Sequence, residues 1–338
     1  MMRKVRGFLA IVLLTGLLGA CADNEKTVGQ LDVAVFVPGM VAGSPIYEML
    51  VAGATQAVSE VPNATLKIIE AGYNQAEWLD KLTALAETAE FELIVSSNPA
   101  LPDLCARVAA DYPEQRFFIA DAYLAGNPAI HTVLYNQQEQ GYMIGYLAAL
   151  YTKELGGPPV VGLIAAQSYP TLDRLIRPGF LAGLQAVDPA FQIEYREIGN
   201  WYDAAKAAEL AAAIYDSGAQ VILPIAGSAG QGVVATAVER DRKVVWFDGS
   251  GYQLAPNVVI GCADLAQDRL VYERVKQLLE GDDQLYGQAA IVSVREDYIL
   301  FDPDGEGYRA LSPSVRQQQE NALQALAAGQ PDFLLTDF

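Results

Sequence analysis

An α/β fold in two lobes of mostly parallel sheet is what this 338-residue sequence predicts, on three observations. Short apolar runs rich in Val, Ile and Phe alternate with longer helical patterns. The order of these elements repeats in the second half of the chain. The stretch from Leu31 onward is more than one ordinary core and less than three. Strands that alternate with helices of this length require crossover connections, and crossovers give parallel sheets.

The first unit opens with the strand LDVAVFVP (31–38). The helix SPIYEMLVAGATQAVSEV (44–61) comes next, with Ser44 as N-cap and Pro45 at its first position, where an N–H would lack a partner anyway. TLKIIEAG (65–72) is again a strand, and AEWLDKLTALAETA, FELIVSSNP, LPDLCARVAADYP, RFFIADAY and HTVLYNQ read as helix, strand, helix, strand and strand. Then the order recurs. PPVVGLIAAQ (158–167) stands where LDVAVFVPG stood, TLDRLIRPGFLAGLQAV where the first helix stood, and FQIEYREIG where LKIIEAG stood. YDAAKAAELAAAIYDSGAQVILPIAGSAG parallels QAEWLDKLTALAETAEFELIVSSNPA. The remainder reads as KVVWFDGSG (243–251), NVVIGCA (257–263), the helix LAQDRLVYERVKQLLEG and one strand near AAIVSVREDYILF.

Two units of one plan predict two lobes facing a cleft, and in open α/β sheets ligands sit beyond the carboxyl ends of the strands. The loops there read VPGMVAGSPIY, EAGYNQAEW, SSNPAL, ADAYLAGN, YNQQEQGY, AAQSYPT, GNWYDAAK, IAGSAGQG and FDGSGY. Tyr and Trp recur beside neutral Asn, Gln and Ser, and basic residues are scarce. Such a lining suits a flat ring with polar edges and offers little to a phosphate.

Charge and the N-terminus narrow the class further. The chain has 22 Lys and Arg against 41 Asp and Glu, a net charge of −19. Arg3, Lys4 and Arg6 precede an apolar run from Phe8 to Leu18, which is far short of the ~20 residues a spanning helix needs, so an export signal is expected. Without residues 1–20, 19 basic residues face 41 acidic ones, a balance of −22 that makes nucleic acid an unexpected partner. Leu18-Gly19-Ala20-Cys21 resembles the lipobox of bacterial lipoproteins, whose cysteine is acylated with palmitate-like chains and becomes the mature N-terminus. The resemblance implies a signal peptide over 1–20, lipidation at Cys21, a tether over 21–30 and anchorage on the exported (periplasmic or extracytoplasmic) side of the cell membrane. Two or more acyl chains hold such an anchor stably.

IRPGFLAGLQAVDP, NWYDAAKAAELAAAIYDSGAQVILPIAGSAGQGVVATA and VVWFDGSGY resemble the basic membrane protein family of solute-binding lipoproteins, whose best-known members are purine-nucleoside receptors of ABC importers. The likeness runs from Leu31 to at least Gly281. It implies a type I periplasmic-binding-protein fold, with two Rossmann-like lobes of parallel sheet joined by a hinge. Lobe 1 is expected over 31–135 plus 250–283, and lobe 2 over 136–249 plus 284–338. It also implies ABC permease and ATPase subunits as partners, no catalysis and no resident cofactor.

Specificity departs from the nucleoside pattern. The Ser-Phe-Asn-like stretch usual in the first loop reads Gly43-Ser44-Pro45-Ile46-Tyr47, and the family's VDSDQ reads Phe247-Asp248-Gly249-Ser250-Gly251. A lysine that usually comes shortly after it to reach the ribose has no counterpart in VVIGCADLAQDRL. VFVPG, SPIYEMLVAG, IVSSNPALPDLCARV, YNQQEQGYM and GNWYDAAKA resemble instead the family's riboflavin-uptake branch. Riboflavin is therefore the first expected ligand and a purine nucleoside the second, with a ligand sensor as the rival role for the same cleft.

Eight residues are expected at the ligand. Trp201 and Tyr202 end a strand and offer ring faces, and Tyr47 on the first helical turn is the candidate for the opposite face; each otherwise packs locally. Asn98 and Asp121 end consecutive strands and either bond a ring edge, as the family implies, or cap the next helix or turn. Asn136 and Gln137 stand where the chain crosses between lobes and offer donors and acceptors to a pyrimidine-like edge. Asp248, the surviving carboxylate of the motif, is placed to accept hydroxyls of a ribityl or ribosyl chain. Gly227, Gly230 and Gly232 lack the GK[ST] of a phosphate loop and read as close-approach glycines. His131, the only histidine, has no nucleophile elbow nearby and reads as a packed strand residue, and no metal cluster is evident. Cys105 and Cys262 sit in apolar settings that suggest buried thiols, although an exported chain could pair them.

Overall fold

The computed structural model describes residues 30–333 and 335. The expected signal peptide, the acylation site Cys21 and most of the tether lie outside the described residues.

In chain order the first half runs β1 (Leu31–Val37), α1 (Pro45–Glu60), β2 (Ala64–Glu70), α2 (Trp78–Glu87), β3 (Leu93–Ser97), α3 (Pro102–Asp111), β4 (Arg116–Ala120) and β5 (Ile130–Tyr135). The second continues with α4 (Gln137–Glu154), β6 (Val160–Ala165), α5 (Arg177–Val187), β7 (Gln192–Glu197), α6 (Ala204–Asp216), β8 (Val221–Ile225), α7 (Gly230–Glu239), β9 (Lys243–Phe247) and β10 (Val259–Leu265). It closes with α8 (Gln267–Leu279), β11 (Ala289–Val292), β12 (Ile299–Asp302), α9 (Glu306–Arg309) and α10 (Pro313–Ala327). Two six-stranded sheets result, ordered β11-β5-β4-β3-β1-β2 and β12-β10-β9-β8-β6-β7. The first is parallel throughout, and in the second only β12 runs against its neighbour, β10. The repeat in the sequence is thus a repeat in space, with β1 to β5 and β6 to β10 in equivalent slots. Their central strands carry continuous apolar runs because helices cover both faces; Val33 to Val37 of β1 are wholly inaccessible.

Two boundaries differ from expectation. The stretch 250–265 belongs to the second sheet, since β10 pairs with β9, and the chain returns to the first sheet only after Leu265. There the Gln267 side chain donates to Ile46 O (2.5 Å) and accepts from Ser97 Oγ (2.9 Å), which seats α8 against α1. The single strand expected over AAIVSVREDYILF is two strands in different sheets. Ser293 and Glu296 form a reciprocal capping box and Asp297 takes a left-handed turn (φ 59°), so the run is broken and the third crossover falls at 293–298, not at 284. The two cysteines among the described residues, Cys105 on α3 and Cys262 on β10, are buried and form no disulfide.

Candidate ligand-binding cleft

The cleft is made by the loops after the strands of both sheets. The lobes meet across it, since a Cβ on Gly249 beyond β9 would lie 3.3 Å from the Cβ of Pro45 at the start of α1. Two aspartates occupy equivalent places: Asp121 is the first residue after β4 and Asp248 the first after β9. Both adopt the left-handed conformation, with φ of 52° and 66°, which turns the chain sharply off the strand; Asp tolerates this region better than most residues. The Asp248 carboxylate acts on that of Asp121. Burial first, and then the Asp248 charge, push Asp121 well above the usual carboxylate range. Burial pushes Asp248 up to about 6, held back by a hydrogen bond from Gln140.

That hydrogen bond ties the cleft to the hinge. Gln140 is fully buried on α4, and its amide donates to Asp248 Oδ1 (3.1 Å) and to Ala263 O on β10 (2.9 Å). Asp264, next to it, has a carboxyl raised to about 7 by burial and then by Asp302 and Asp248. No protein group reaches the buried Oδ1 of Asp121 or of Asp264.

Aromatic rings flank these carboxylates. In the second lobe, Trp201 lies against Tyr169, with centroids 6.0 Å apart and planes at 49°. Gly227 (φ 55°) supports the indole: a Cβ there would be 3.4 Å from Trp201 Cε3, while the Trp201 carbonyl accepts from Ser228 Oγ and Ala229 N. In the first lobe, Gly39 lies between Tyr47 and Tyr73. Tyr47 donates to Pro38 O (3.3 Å) and accepts from Asn98 Nδ2 (3.4 Å); burial raises its hydroxyl to about 12. A cavity of about 280 Å³ is lined from the first lobe by Tyr73 and Gln75 and from the second by Gln167, Asn200, Trp201 and Tyr202.

The eight expected residues therefore divide. Tyr47, Asp121 and Asp248 lie within electrostatic reach of one another in series, and Trp201 connects to the two aspartates through Tyr169. Asn98 joins them through Tyr47, but its Oδ1 also caps Ala100 N (2.9 Å), the local role open to it. Tyr202 stands 72% exposed at the rim. Asn136 and Gln137 are buried at the first crossover; Asn136 Nδ2 donates to Phe333 O (3.0 Å), and each residue keeps an amide oxygen without a protein donor. The glycines each serve a close approach, Gly227 to Trp201, Gly230 to Trp246 and Gly232 to the backbone of α6. His131 packs on Phe118 with its Nδ1 at 3.0 Å from Gln288 O, as a strand residue should. Tyr169, Tyr135, Gln140 and Asp264 lie with these aspartates although none was singled out as a site residue from the sequence. Gln140 had a signal, since it lies one helical turn past Asn136 and shares its face. Among the described residues, no three His, Cys, Asp or Glu side chains are grouped to hold a metal, and no helix is long and apolar enough to cross a membrane.

Residues 30–327 match the model of the family described as Bmp, ABC transporter substrate-binding protein PnrA-like. The chain belongs to this family. The family is described as one of ABC-transporter substrate-binding proteins. The chain is 28% identical over 152 residues to the ABC transporter nucleoside-binding protein BmpA of Lactococcus lactis (45% of this chain, 42% of that one). It is 25% identical over 214 residues to a purine-binding protein of Brucella abortus (62% of this chain, 58% of that one). The chain spans 61% and 51% of the length of two Listeria antigens that it also matches. Among solved structures, an ABC transporter solute-binding protein of Aeropyrum pernix K1 superposes with a TM-score of 0.78 at 20% identity, over 91% of this chain and 94% of that one. The fold expected from the sequence is thus that of this Bmp-family chain.

Proposed function

We propose that this chain is the capture component of an ABC importer for purine nucleosides, held to the membrane by acylated Cys21 and delivering its cargo to permease and ATPase subunits. The observation that carries this reading is the convergence of Trp201 and Tyr169 with Asp248, whose carboxylate is anchored by Gln140, in one cleft between two lobes. A ring stacked on an aromatic side chain gains ~1–3 kcal/mol. A carboxylate accepting sugar hydroxyls supplies direction as well as energy. Nanomolar capture needs about −12 kcal/mol, which two ring contacts and several buried hydrogen bonds approach. The relatives named for nucleoside and purine binding favour this ligand over riboflavin, which the sequence motifs alone place first. Riboflavin stays as a second reading because VVIGCADLAQDRL carries no lysine for a ribose and the first loop departs from the nucleoside pattern.

Calorimetry with guanosine, inosine, adenosine and riboflavin on ligand-stripped protein tests the reading. Submicromolar binding of a nucleoside is expected. A yellow protein that binds riboflavin and no nucleoside would replace it with the second reading. For the anchor, Cys21→Ser is expected to shift the protein from the detergent phase to the aqueous phase on partitioning; retention in the detergent phase would count against acylation.

A further inference from the structure

Asp121 and Asp248 stand at equivalent strand ends of opposite lobes, so closing the cleft brings two carboxylates into one buried space. The titratable groups within electrostatic reach of the two are Asp264, Tyr47, Tyr135 and Tyr169, with Tyr73, Asp173, Asp268, Asp302, Tyr195 and Tyr298 behind. All are acidic or phenolic. The two carboxylates are not equivalent in their partners. Asp248 is held in its charged form by an amide donor of Gln140, whereas no protein donor reaches the buried Oδ1 of Asp121.

We infer that in the closed, ligand-bound protein Asp121 is a neutral carboxylic acid that donates its O–H to a lone-pair nitrogen or carbonyl oxygen in the plane of the ligand's ring, while Asp248 stays ionised and accepts hydroxyls. This deepens the proposed function and rests on it for the ligand. The physical reason is that two like charges sharing a dry site cannot both persist, so one takes up a proton, and it is the one without donors. The raised titration of Asp121 agrees in direction. The cleft therefore reads a ring acceptor at the β4 end. Capture also absorbs a proton, so affinity falls as pH rises through the closed-state titration of the pair.

The test compares Asp121→Asn and Asp121→Leu with the unmodified protein, using guanosine or riboflavin, whichever binds. Asn keeps a donor where the carboxylic acid has one and cannot ionise. Calorimetry at pH 7 in buffers of low and high ionisation enthalpy is expected to read uptake of roughly one proton per ligand in the unmodified protein and none in Asp121→Asn. Asp121→Asn is expected to hold affinity within about threefold, and Asp121→Leu to lose at least about tenfold. Absence of buffer dependence in the unmodified protein, or a loss beyond threefold in Asp121→Asn, overturns the assignment. A ligand-free arm keeps it apart from the proposed function. Pro45→Cys with Gly249→Cys places two Cβ atoms near disulfide spacing and locks the lobes together. Infrared spectra of that locked protein at pH 7 are expected to contain a protonated-carboxyl band that vanishes when Asp121→Asn is added. If no nucleoside binds, the proposed function fails while this band still decides; if the band is missing, the inference fails whatever the protein binds.

Discussion

Trp201 bears the largest aromatic surface at the cleft, and it reaches it because two independent features hold it there: the left-handed Gly227 beneath the ring and the two hydrogen bonds to its own carbonyl. Trp201→Ala is therefore expected to weaken ligand binding by at least ~1 kcal/mol with little change in melting temperature, read by calorimetry and thermal denaturation side by side. A lower melting temperature with unchanged affinity would make the indole a packing residue. Asp264 tests the electrostatics of the same region. Its folded-state titration near 7 lies above that of an unfolded aspartate, so the folded chain binds more protons between about pH 4 and 7, and this residue's contribution to stability declines as pH rises through that window. Asp264→Asn removes the effect, and a gain on the order of 1 kcal/mol is expected at pH 8 that shrinks towards pH 5. Equal effects at both pH values would contradict the buried titration. Residues at strand ends, such as Asp121, Trp201 and Asp248, were legible because a strand-to-loop switch is visible in one sequence. The roles of Gln140 and Asp264 were not, because the groups that define them lie far along the chain: Asp248 and the Ala263 carbonyl for Gln140, Asp302 for Asp264.

At the level of elements, the helix pair α4 and α5 carries the first crossover onto the second sheet. Gly141 and Gly145 on α4 face Gly179 and Gly183 on the other helix, so the backbones touch. A Cβ at Gly141 would meet Ile176 O at 2.5 Å, and those at the other three would come closer still to backbone atoms. Backbone cannot rotate aside as a side chain can, so Gly183→Ala is expected to cost ~1–3 kcal/mol or more and to lower the denaturation midpoint. A variant as stable as the parent would mean that the helices slide apart freely. Pro178 removes an N–H from the first turn of α5, and the five residues Leu172–Ile176 ahead of that helix form a π-type turn, a local irregularity that helical periodicity does not announce. The two halves were readable because each obeys the same alternation; their exchange of strands was not. A capping box of four residues decides that β11 and β12 serve different sheets, and hydrophobic pattern is blind to it.

For the whole molecule, three crossovers join the lobes at 136, at 266 and at 293–298, and they are tied to one another. Glu139 on α4 accepts from Val294 N (3.0 Å), and the segment after α10 reaches back to both sides, with Phe333 O accepting from Asn136 and its ring 5.5 Å from Tyr142, and Asp332 3.9 Å from Arg295. Relative motion of the lobes is therefore expected to hinge about these segments, with ligand contacts from both lobes formed on closure. A ligand that touches both lobes shifts the population by its preference for the closed state. The cross-lobe pair Pro45→Cys and Gly249→Cys converts this into a kinetic measurement. Protein loaded before oxidation is expected to release ligand at least ten times more slowly than the reduced form, with full recovery on adding dithiothreitol, because exit requires the lobes to part. Protein oxidised before loading is expected to take ligand up equally slowly, and its radius of gyration in solution scattering to match that of the loaded parent. Rapid exchange through the locked cleft would mean that the ligand sits in the open rim cavity beside Tyr202 and not between the two aspartates.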